Sequence, residues 1–336
     1  ARPMGVRVQP NPGFGGGASG SFGVAQLYLP GKTSATRVHY QNVAGIAITE
    51  GDIVLGPVDQ LQATYGAPRF ANASHATATK NTSHLWPGAV IPYEIDPNVT
   101  EPRRGWVNWA VAHVSSESVV KLRPRTPADK DYVRFVELGI DACTSHVGRT
   151  GGSQDINVTG CGSGGNIVHE IGHASGFYHE QQRTDRDQYI TIAWDEISPQ
   201  HRAWFEIETN ANDIGQYDYG SVMHYGRKAF SATGRDTIIP KDPNARIGDR
   251  DGLSPLDKAA LAQLYSGASI PFEIPGLGGL PGGLPGGGSL PGSLPLPFPI
   301  PSSVPGLPST LPPGWQLPAG LPPGTPAVPG IPGLTQ

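Results

Sequence analysis

The chain has little of what several protein classes require. No run of 18 apolar residues occurs without a charge or a proline, so the sequence predicts no membrane-spanning helix. The net charge is −4, the pI is near 6.2, and Lys and Arg are scattered, which excludes the basic patch of a nucleic-acid-binding protein. The sequence also has neither a Gly-rich phosphate loop nor a dinucleotide-binding fingerprint, which excludes the common nucleotide-dependent enzymes.

Residues that build a hydrophobic core are scarce at both ends of the chain. Residues 271–336 hold 19 Pro and 15 Gly, and Glu273 is their single charge. Such a segment cannot form a hydrogen-bonded core, and we expect a disordered spacer, with binding to a matrix or cell wall as the alternative. The first 23 residues are similarly rich in Gly. About 240 residues remain, which suffices for one buried domain and a small appendage.

Cysteine is nearly absent, since Cys143 and Cys161 are the only two and allow a single disulfide. The chain begins with Ala rather than Met, and removal of a secretory signal is one explanation. We expect the protein to be secreted, because the sequence also holds four Asn-x-Ser/Thr acceptors for glycans. These are Asn72, Asn81, Asn98 and Asn157.

Hydrophobic periodicity places the regular elements. The sequence predicts extended segments at 24–29, 45–48, 85–95 and 132–138, and helices at 103–116, 166–175 and 254–265. Gly176 is placed to end the second of these helices, because glycine readily adopts the left-handed conformation at a helix C-terminus. The last helix begins with Ser254 as its N-cap and Pro255 at its first position.

The predicted helix at 166–175 carries the chemistry, in the segment His169-Glu170-Ile-Gly-His173-Ala-Ser-Gly176-Phe-Tyr-His179. On a helix, His169 and His173 project from the same face, so both imidazoles can bind one cation. The turn at Gly176 lets His179 return as a third ligand. Three nitrogen ligands leave a position for a water molecule, the arrangement of a catalytic zinc site, and Glu170 can accept a proton from that water.

A methionine follows the third histidine by 44 residues, in Ser221-Val-Met223-His-Tyr225-Gly226. Met223 and Met4 are the chain's two methionines. Next to a site of three histidines, the polarizable thioether of Met223 can pack against the metal ligands and support them. Ordinary core packing is the alternative for a methionine on its own.

With Glu180 directly after the third histidine, these two motifs resemble the astacin family of zinc metalloendopeptidases, a branch of the metzincins. Related branches carry Asp, Ser or Pro at that position, so Glu180 favours astacin over another metzincin. The resemblance covers residues 85–266 in the family's order. Further matching segments are Leu85–Tyr93, Cys143–Arg149, Arg183–Ile190, Tyr217–Tyr225 and Gly252–Asp257.

The resemblance implies an α+β fold with two lobes around a cleft, in which a twisted mixed sheet and the zinc helix form the N-terminal lobe. It implies one Zn²⁺ held by three histidines, with Glu170 as general base and Tyr225 as a donor to the developing oxyanion. Glu180 would bond through water to the mature N-terminus. The three zinc ligands would be His169, His173 and His179, and Met223 would be structural. The resemblance also implies a Cys143–Cys161 disulfide. It further implies an edge strand that binds the substrate, formed by Cys143, Thr144, Ser145 and His146.

Upstream, Thr49-Glu50-Gly51-Asp52-Ile53 resembles the family's prosegment motif, in which an aspartate binds the zinc and blocks the water site. In that interpretation Asp52 is a latency switch and the chain is a zymogen; an ordinary Gly-Asp turn is the alternative. Activation would need a cut within 68–84. Arg69 and Lys80 are both available to a trypsin-like protease.

The prediction is therefore a secreted, monomeric zinc endopeptidase that cleaves proteins or peptides. Its parts are a Gly-rich low-complexity head at 1–26, a propeptide-like segment at 27–80, an astacin-like peptidase domain at 81–267 and a Pro/Gly/Leu-rich disordered tail at 268–336. The alternative from another class is a non-catalytic matrix or cell-surface adhesion protein, with a structural zinc and the tail as its binding part.

Overall fold

The computed structural model describes residues 20–27, 36–63, 78–79, 82–208 and 211–266. The predicted tail at 268–336, most of the predicted head, and both candidate cleavage residues, Arg69 and Lys80, lie outside these ranges. Within them, no helix is both long and apolar enough to cross a membrane.

An antiparallel sheet of four strands forms the N-terminal part. Its strands β1 (Ser21–Leu27), β2 (Thr36–Val43), β3 (Ile46–Thr49) and β4 (Ile53–Pro57) pair in chain order, and helix α1 (Val58–Ala63) follows. Alternate residues such as Val38 and Tyr40 face a small core of their own, as a half-buried strand requires. The sequence predicted two extended segments here, and the structure has four strands. β1 also begins inside the predicted low-complexity head and crosses its boundary at residue 26.

The second sheet belongs to the predicted peptidase domain and has the strand order β6-β5-β7-β8. Its neighbouring strands are parallel: β5 (Val90–Ile95), β6 (Lys121–Pro124), β7 (Tyr132–Val136) and β8 (Ser153–Asn157). An isolated antiparallel bridge joins Thr144 to Asn157 at the end of β8. Helices α2 (Arg103–Glu117) and α3 (Gly164–Ala174) pack on each other, and their apolar residues share one core with the sheet. Three predicted elements, β5, β7 and α2, are confirmed, with boundaries shifted by a few residues.

Helix α3 begins and ends where its sequence indicates. The Ser163 side chain accepts a hydrogen bond from the Asn166 amide and caps the first turn. Two glycines open the helix because there is no room for a side chain: a Cβ on Gly165 would lie 1.5 Å from the Arg250 carbonyl oxygen. After the last turn, Gly176 adopts φ 107°, the left-handed conformation that ends the helix. The predicted helix and its stop are confirmed.

The C-terminal part is less regular. It contains short strands β9 (Ile190–Ile192) and β10 (Ile238–Pro240), several turns of 3-10 helix, and a separate aromatic core that includes Trp204, Phe205 and Tyr225. Helix α4 (Pro255–Ser266) ends the described chain. Ser254 and Asp257 cap it reciprocally: each side chain accepts from the other's backbone amide at 2.9 Å. The predicted N-cap is confirmed.

Two features fix the loop that precedes α3. Cys143 and Cys161 form the predicted disulfide, which closes a loop with a sequence separation of 18. Within it, the Asn157 side chain is 1% exposed and donates to the carbonyl oxygens of Ile140 and Ala142. Asn157 is therefore no acceptor for a glycan in the folded protein, whereas the Asn98 side chain is exposed.

Candidate metal centre

Three histidines converge at the end of α3. Their ring centroids lie 4.6 Å apart for His169 and His173, 4.8 Å for His173 and His179, and 5.4 Å for His169 and His179. Helical spacing places the first two on one face, and the turn at Gly176 returns the chain so that the third ring closes the group. All three side chains are almost completely buried.

The outer nitrogen of each ring has a hydrogen-bond acceptor. Nδ1 of His169 lies 2.7 Å from the Val222 carbonyl oxygen, and Nδ1 of His173 lies 2.9 Å from the Phe177 carbonyl oxygen. Nδ1 of His179 lies 2.9 Å from Oε2 of Glu50. A carbonyl or carboxylate oxygen can only accept, so each Nδ1 carries the proton. Each Nε2 is left as a lone-pair donor that faces the other two.

Asp52 completes the cluster. Its Oδ2 lies 3.1 Å from Nε2 of His179 and 3.2 Å from Nε2 of His169, and its Oδ1 lies 3.7 Å from Nε2 of His173. Burial opposes ionisation of this carboxyl, but its interactions with His179, His169 and His173 hold the pKa of Asp52 well below its usual range. The structure thus brings the predicted latency residue to the predicted ligands from 117 residues away in the sequence.

The donor set fits a zinc ion. One nitrogen from each histidine and one oxygen of Asp52 all lie within 4.8 Å of one another, and all four residues are buried. Among the described residues, Nε2 of His173 and Oδ1 of Asp52 are buried without a hydrogen-bond partner, as atoms with a role in metal binding would be. Three imidazoles and a carboxylate are ligands that suit Zn²⁺, which would be held by these four residues.

Glu170 lies on α3 beside the first histidine and is 2% exposed. Burial raises the pKa of its carboxyl well above the usual value, and the charge of Asp52 raises it further, while Arg250 opposes the shift. Its Oε2 has no hydrogen-bond partner among the residues described. A buried carboxyl with a raised pKa and a free oxygen beside the cluster is equipped to take up and release a proton.

Tyr225 also reaches the cluster. Its ring centroid lies 4.5 Å from that of His179, the residue is fully buried, and its hydroxyl donates to the backbone carbonyl of Glu50. Burial raises the pKa of Tyr225 well above its usual value, so the hydroxyl remains a donor. The structure therefore places Tyr225 against the third histidine, and its role as an oxyanion donor stays a prediction.

Met223 packs against helix α3 at Gly172. It is 2% exposed, and a Cβ on Gly172 would lie 2.7 Å from its Sδ. Position 172, between Glu170 and His173, therefore admits glycine because the methionine occupies the space of a side chain. This contact places Met223 against the helix that carries His169 and His173.

The predicted substrate strand is already paired. Ser145 donates its amide to the Asp52 carbonyl and accepts from the Val54 amide, both at 2.9 Å, in a parallel bridge with Ile53. Within residues 143–146, Thr144 and Ser145 form isolated bridges rather than a continuous strand. The segment next to Asp52 thus occupies the backbone groups at Ser145.

Glu180 accepts a hydrogen bond from the Asp218 amide at 2.8 Å and lies 3.6 Å from Nε of Arg183. Burial raises the pKa of Glu180 to about 8, although Arg183 opposes the shift. Its predicted bond to a mature N-terminus stays a prediction.

Sequence reasoning missed Glu50. In the sequence it is one charge in a turn between two strands, and such charges are usually solvated. Its one signal is its position next to Gly51 and Asp52, and only the folded chain shows its contacts with His179 and Tyr225.

Comparisons with known proteins agree with this geometry. The family model of the astacin peptidases matches residues 78–266. The zinc metalloproteinase nas-15 of Caenorhabditis elegans is 38% identical over 225 residues, which cover 64% of this chain and 39% of the relative. The astacin-like metalloendopeptidase of Gallus gallus is 41% identical over 181 residues, which cover 52% of this chain and 44% of the relative.

A solved structure is also similar. High choriolytic enzyme 1, a hatching enzyme zinc-protease from Oryzias latipes, matches with a TM-score of 0.50 and 35% identity, over 58% of this chain and 98% of that chain. The chain spans about two fifths of the length of the curated relatives it matches.

Proposed function

The chain belongs to the astacin family, and on that premise we propose that it is a secreted zinc endopeptidase, made as a zymogen in which Asp52 blocks the metal. The observation that carries this is the buried cluster in which Asp52 lies against the Nε2 atoms of all three histidines. The proposed parts are a propeptide-like segment at 27–80 and a peptidase domain at 81–267. The disulfide and the exposed glycan acceptor at Asn98 support secretion.

The proposed reaction is hydrolysis of a peptide bond. When bound, zinc lowers the pKa of a coordinated water to about 7 and polarises a carbonyl. Glu170 takes the proton from the attacking water and passes it to the leaving amine, a role that suits a buried carboxyl directly beside the first metal ligand. The Tyr225 hydroxyl, once free of the Glu50 carbonyl, donates to the oxyanion.

The proposed substrate lies along residues 143–146 and pairs with Ser145 through its backbone. Support comes from the segment at Asp52–Val54, which already uses the amide and the carbonyl of Ser145. Extended peptides commonly bind by such main-chain pairing. The prosegment would then block both the metal and the backbone groups of Ser145 that pair with the substrate.

The activity is tested with Glu170→Gln, which removes the charge and keeps the shape. After activation by trypsin, we expect cleavage of casein to fall by about 10²- to 10⁴-fold, because the proton transfer is lost. Zinc content, measured by atomic absorption, stays at one ion. Glu206→Gln, at an exposed site, is the matched control and keeps full activity. Near-normal turnover by Glu170→Gln would remove Glu170 from the mechanism, and absence of chelator-sensitive cleavage in the wild type would favour the adhesion alternative.

Latency is tested with Asp52→Ala in the uncut chain. We expect cleavage of a fluorogenic peptide without any activating protease, because the carboxylate that contacts the three histidines is gone. Asp59→Asn alters an exposed carboxylate of the same N-terminal part and should leave the uncut chain inactive. If Asp52→Ala is as inactive as the wild type before cutting and equally active after it, Asp52 is not the latency switch.

A further inference from the structure

Glu50 has a backbone conformation that glycine and asparagine adopt in hairpin turns but that glutamate seldom adopts. It lies in the loop between β3 and β4 with φ 56°, followed by Gly51 with φ 88°, and the loop is closed by a 3.3 Å bond from the Asp52 amide to the Thr49 carbonyl. A residue with a Cβ seldom takes a positive φ unless its surroundings fix it there. Glu50 is also 5% exposed, although most hairpin loops carry their charges in solvent. Both facts indicate that its side chain has a specific partner.

The partner is the third histidine. Oε2 of Glu50 lies 2.9 Å from Nδ1 of His179. His169 and His173 are instead held by backbone carbonyls of Val222 and Phe177, which belong to the peptidase domain itself. The acceptor that orients His179 is therefore supplied by the N-terminal segment. The backbone carbonyl of the same residue receives the Tyr225 hydroxyl.

We propose that Glu50 is a positioning residue for the metal: its carboxylate holds His179 in the Nδ1–H tautomer that presents Nε2, while its carbonyl retains Tyr225. The prosegment thus acts on the zinc site in two ways, directly through Asp52 and indirectly through the third histidine. A carboxylate that accepts from a metal-bound imidazole orients the ring and makes it a better ligand. This inference rests on the proposed function, because it requires zinc at the three histidines.

The test measures zinc affinity of the full, uncut chain by competition with a chromogenic chelator. We expect Glu50→Ala to weaken zinc binding by about 10- to 100-fold, the usual effect of removing a carboxylate that orients a histidine ligand. Glu50→Gln keeps an acceptor oxygen and should recover most of that loss. Asp59→Asn is the control and should equal the wild type. Wild-type affinity in Glu50→Ala, or equal losses in the Ala and Gln variants, would overturn the proposal.

A second measurement separates positioning from general loosening of the loop. In the zinc-loaded chain labelled with ¹⁵N-histidine, the Nδ1–H signal of His179 should shift in both Glu50 variants, while those of His169 and His173 stay in place. Movement of all three signals, or of none, would overturn the proposal. If Glu50→Ala does not fold, Glu50→Gln alone gives the same spectroscopic answer.

Failure of this inference is distinguishable from failure of the proposed function. A wild-type chain that binds no zinc would refute the proposed function itself. A chain that binds zinc and is activated by Asp52→Ala, but is unaffected by Glu50→Ala, would refute the role of Glu50 alone.

Discussion

The disulfide between Cys143 and Cys161 allows a quantitative prediction for the double variant Cys143→Ala/Cys161→Ala. A bridge with a sequence separation of 18 restricts the unfolded chain by about 11 cal/mol/K, or about 3 kcal/mol at 25 °C. Both cysteines are buried, at 8% and 4% exposure, but alanine keeps their Cβ atoms, so the packing loss is small beside this term. We therefore expect the free energy of unfolding to fall by about 3 kcal/mol.

The assay is urea unfolding followed by tryptophan fluorescence, with a chelator present so that zinc binding does not add to the stability of the folded state. For a domain of this size, the expected loss corresponds to a melting temperature lower by roughly 6–12 °C. The control is Ser116→Ala, at an exposed hydroxyl of α2 that bonds only within its own helix. A loss below about 1 kcal/mol, with an unchanged m-value, would refute the chain-entropy argument for this loop.

Two further predictions concern acid stability and activation. Burial lowers the pKa of His224 to about 3, and its Nε2 accepts from the Tyr217 hydroxyl, so the folded state requires the neutral ring. Because the unfolded ring titrates near 6.5, the unfolded state binds more protons below that pH. The free energy of unfolding therefore falls as the pH drops from 6.5 towards 3, by at most about 5 kcal/mol. In urea titrations at a series of pH values, His224→Gln should reduce the dependence of the free energy of unfolding on pH between 6.5 and 3. The same pH dependence in His224→Gln and the wild type would refute this role of His224. Ala78 and Thr79 are buried and bridge to the peptidase domain, so we expect the activating cut at Arg69 rather than Lys80. N-terminal sequencing of the trypsin-activated protein checks this, and a new terminus at Asn81 would contradict it.

The zinc helix could be predicted from the sequence because its information is local. The spacing of His169 and His173 fixes their common face, and Gly176 marks the turn that returns His179. The start of α4 could also be predicted from the sequence, because Ser254, Pro255 and Asp257 form its N-terminal cap. In each case neighbouring residues determine the geometry, so the predicted and observed elements agree within a few residues.

The N-terminal sheet was only half predicted. β2 alternates buried Val38 and Tyr40 with polar residues, but the polar members dominate its composition and weaken the hydrophobic signal. β1 lies beside a glycine-rich stretch that reads as low complexity. These strands are stable because four of them share one small core, a property of the assembled sheet rather than of any single segment.

The interactions of the candidate site that span long sequence separations could not be derived from spacing. Asp52 was predicted through resemblance to a family motif, and its contact with His169 spans 117 residues. Glu50 has no comparable signal, because its partner is 129 residues away. The glycan acceptor at Asn157 was misleading for the same reason: its sequence is suitable, but folding commits the side-chain amide to two backbone carbonyls.

The bridge between Ile53 and Ser145 makes the activity of the cut protein depend on its concentration. In the proposed zymogen the β3–β4 hairpin and the cleft belong to one chain, so the local concentration of the hairpin at the cleft is on the order of millimolar. A cut converts the hairpin into a separate molecule whose rebinding depends on its bulk concentration. Concentrated solutions of the cut protein would then remain inhibited, and dilution would release the activity.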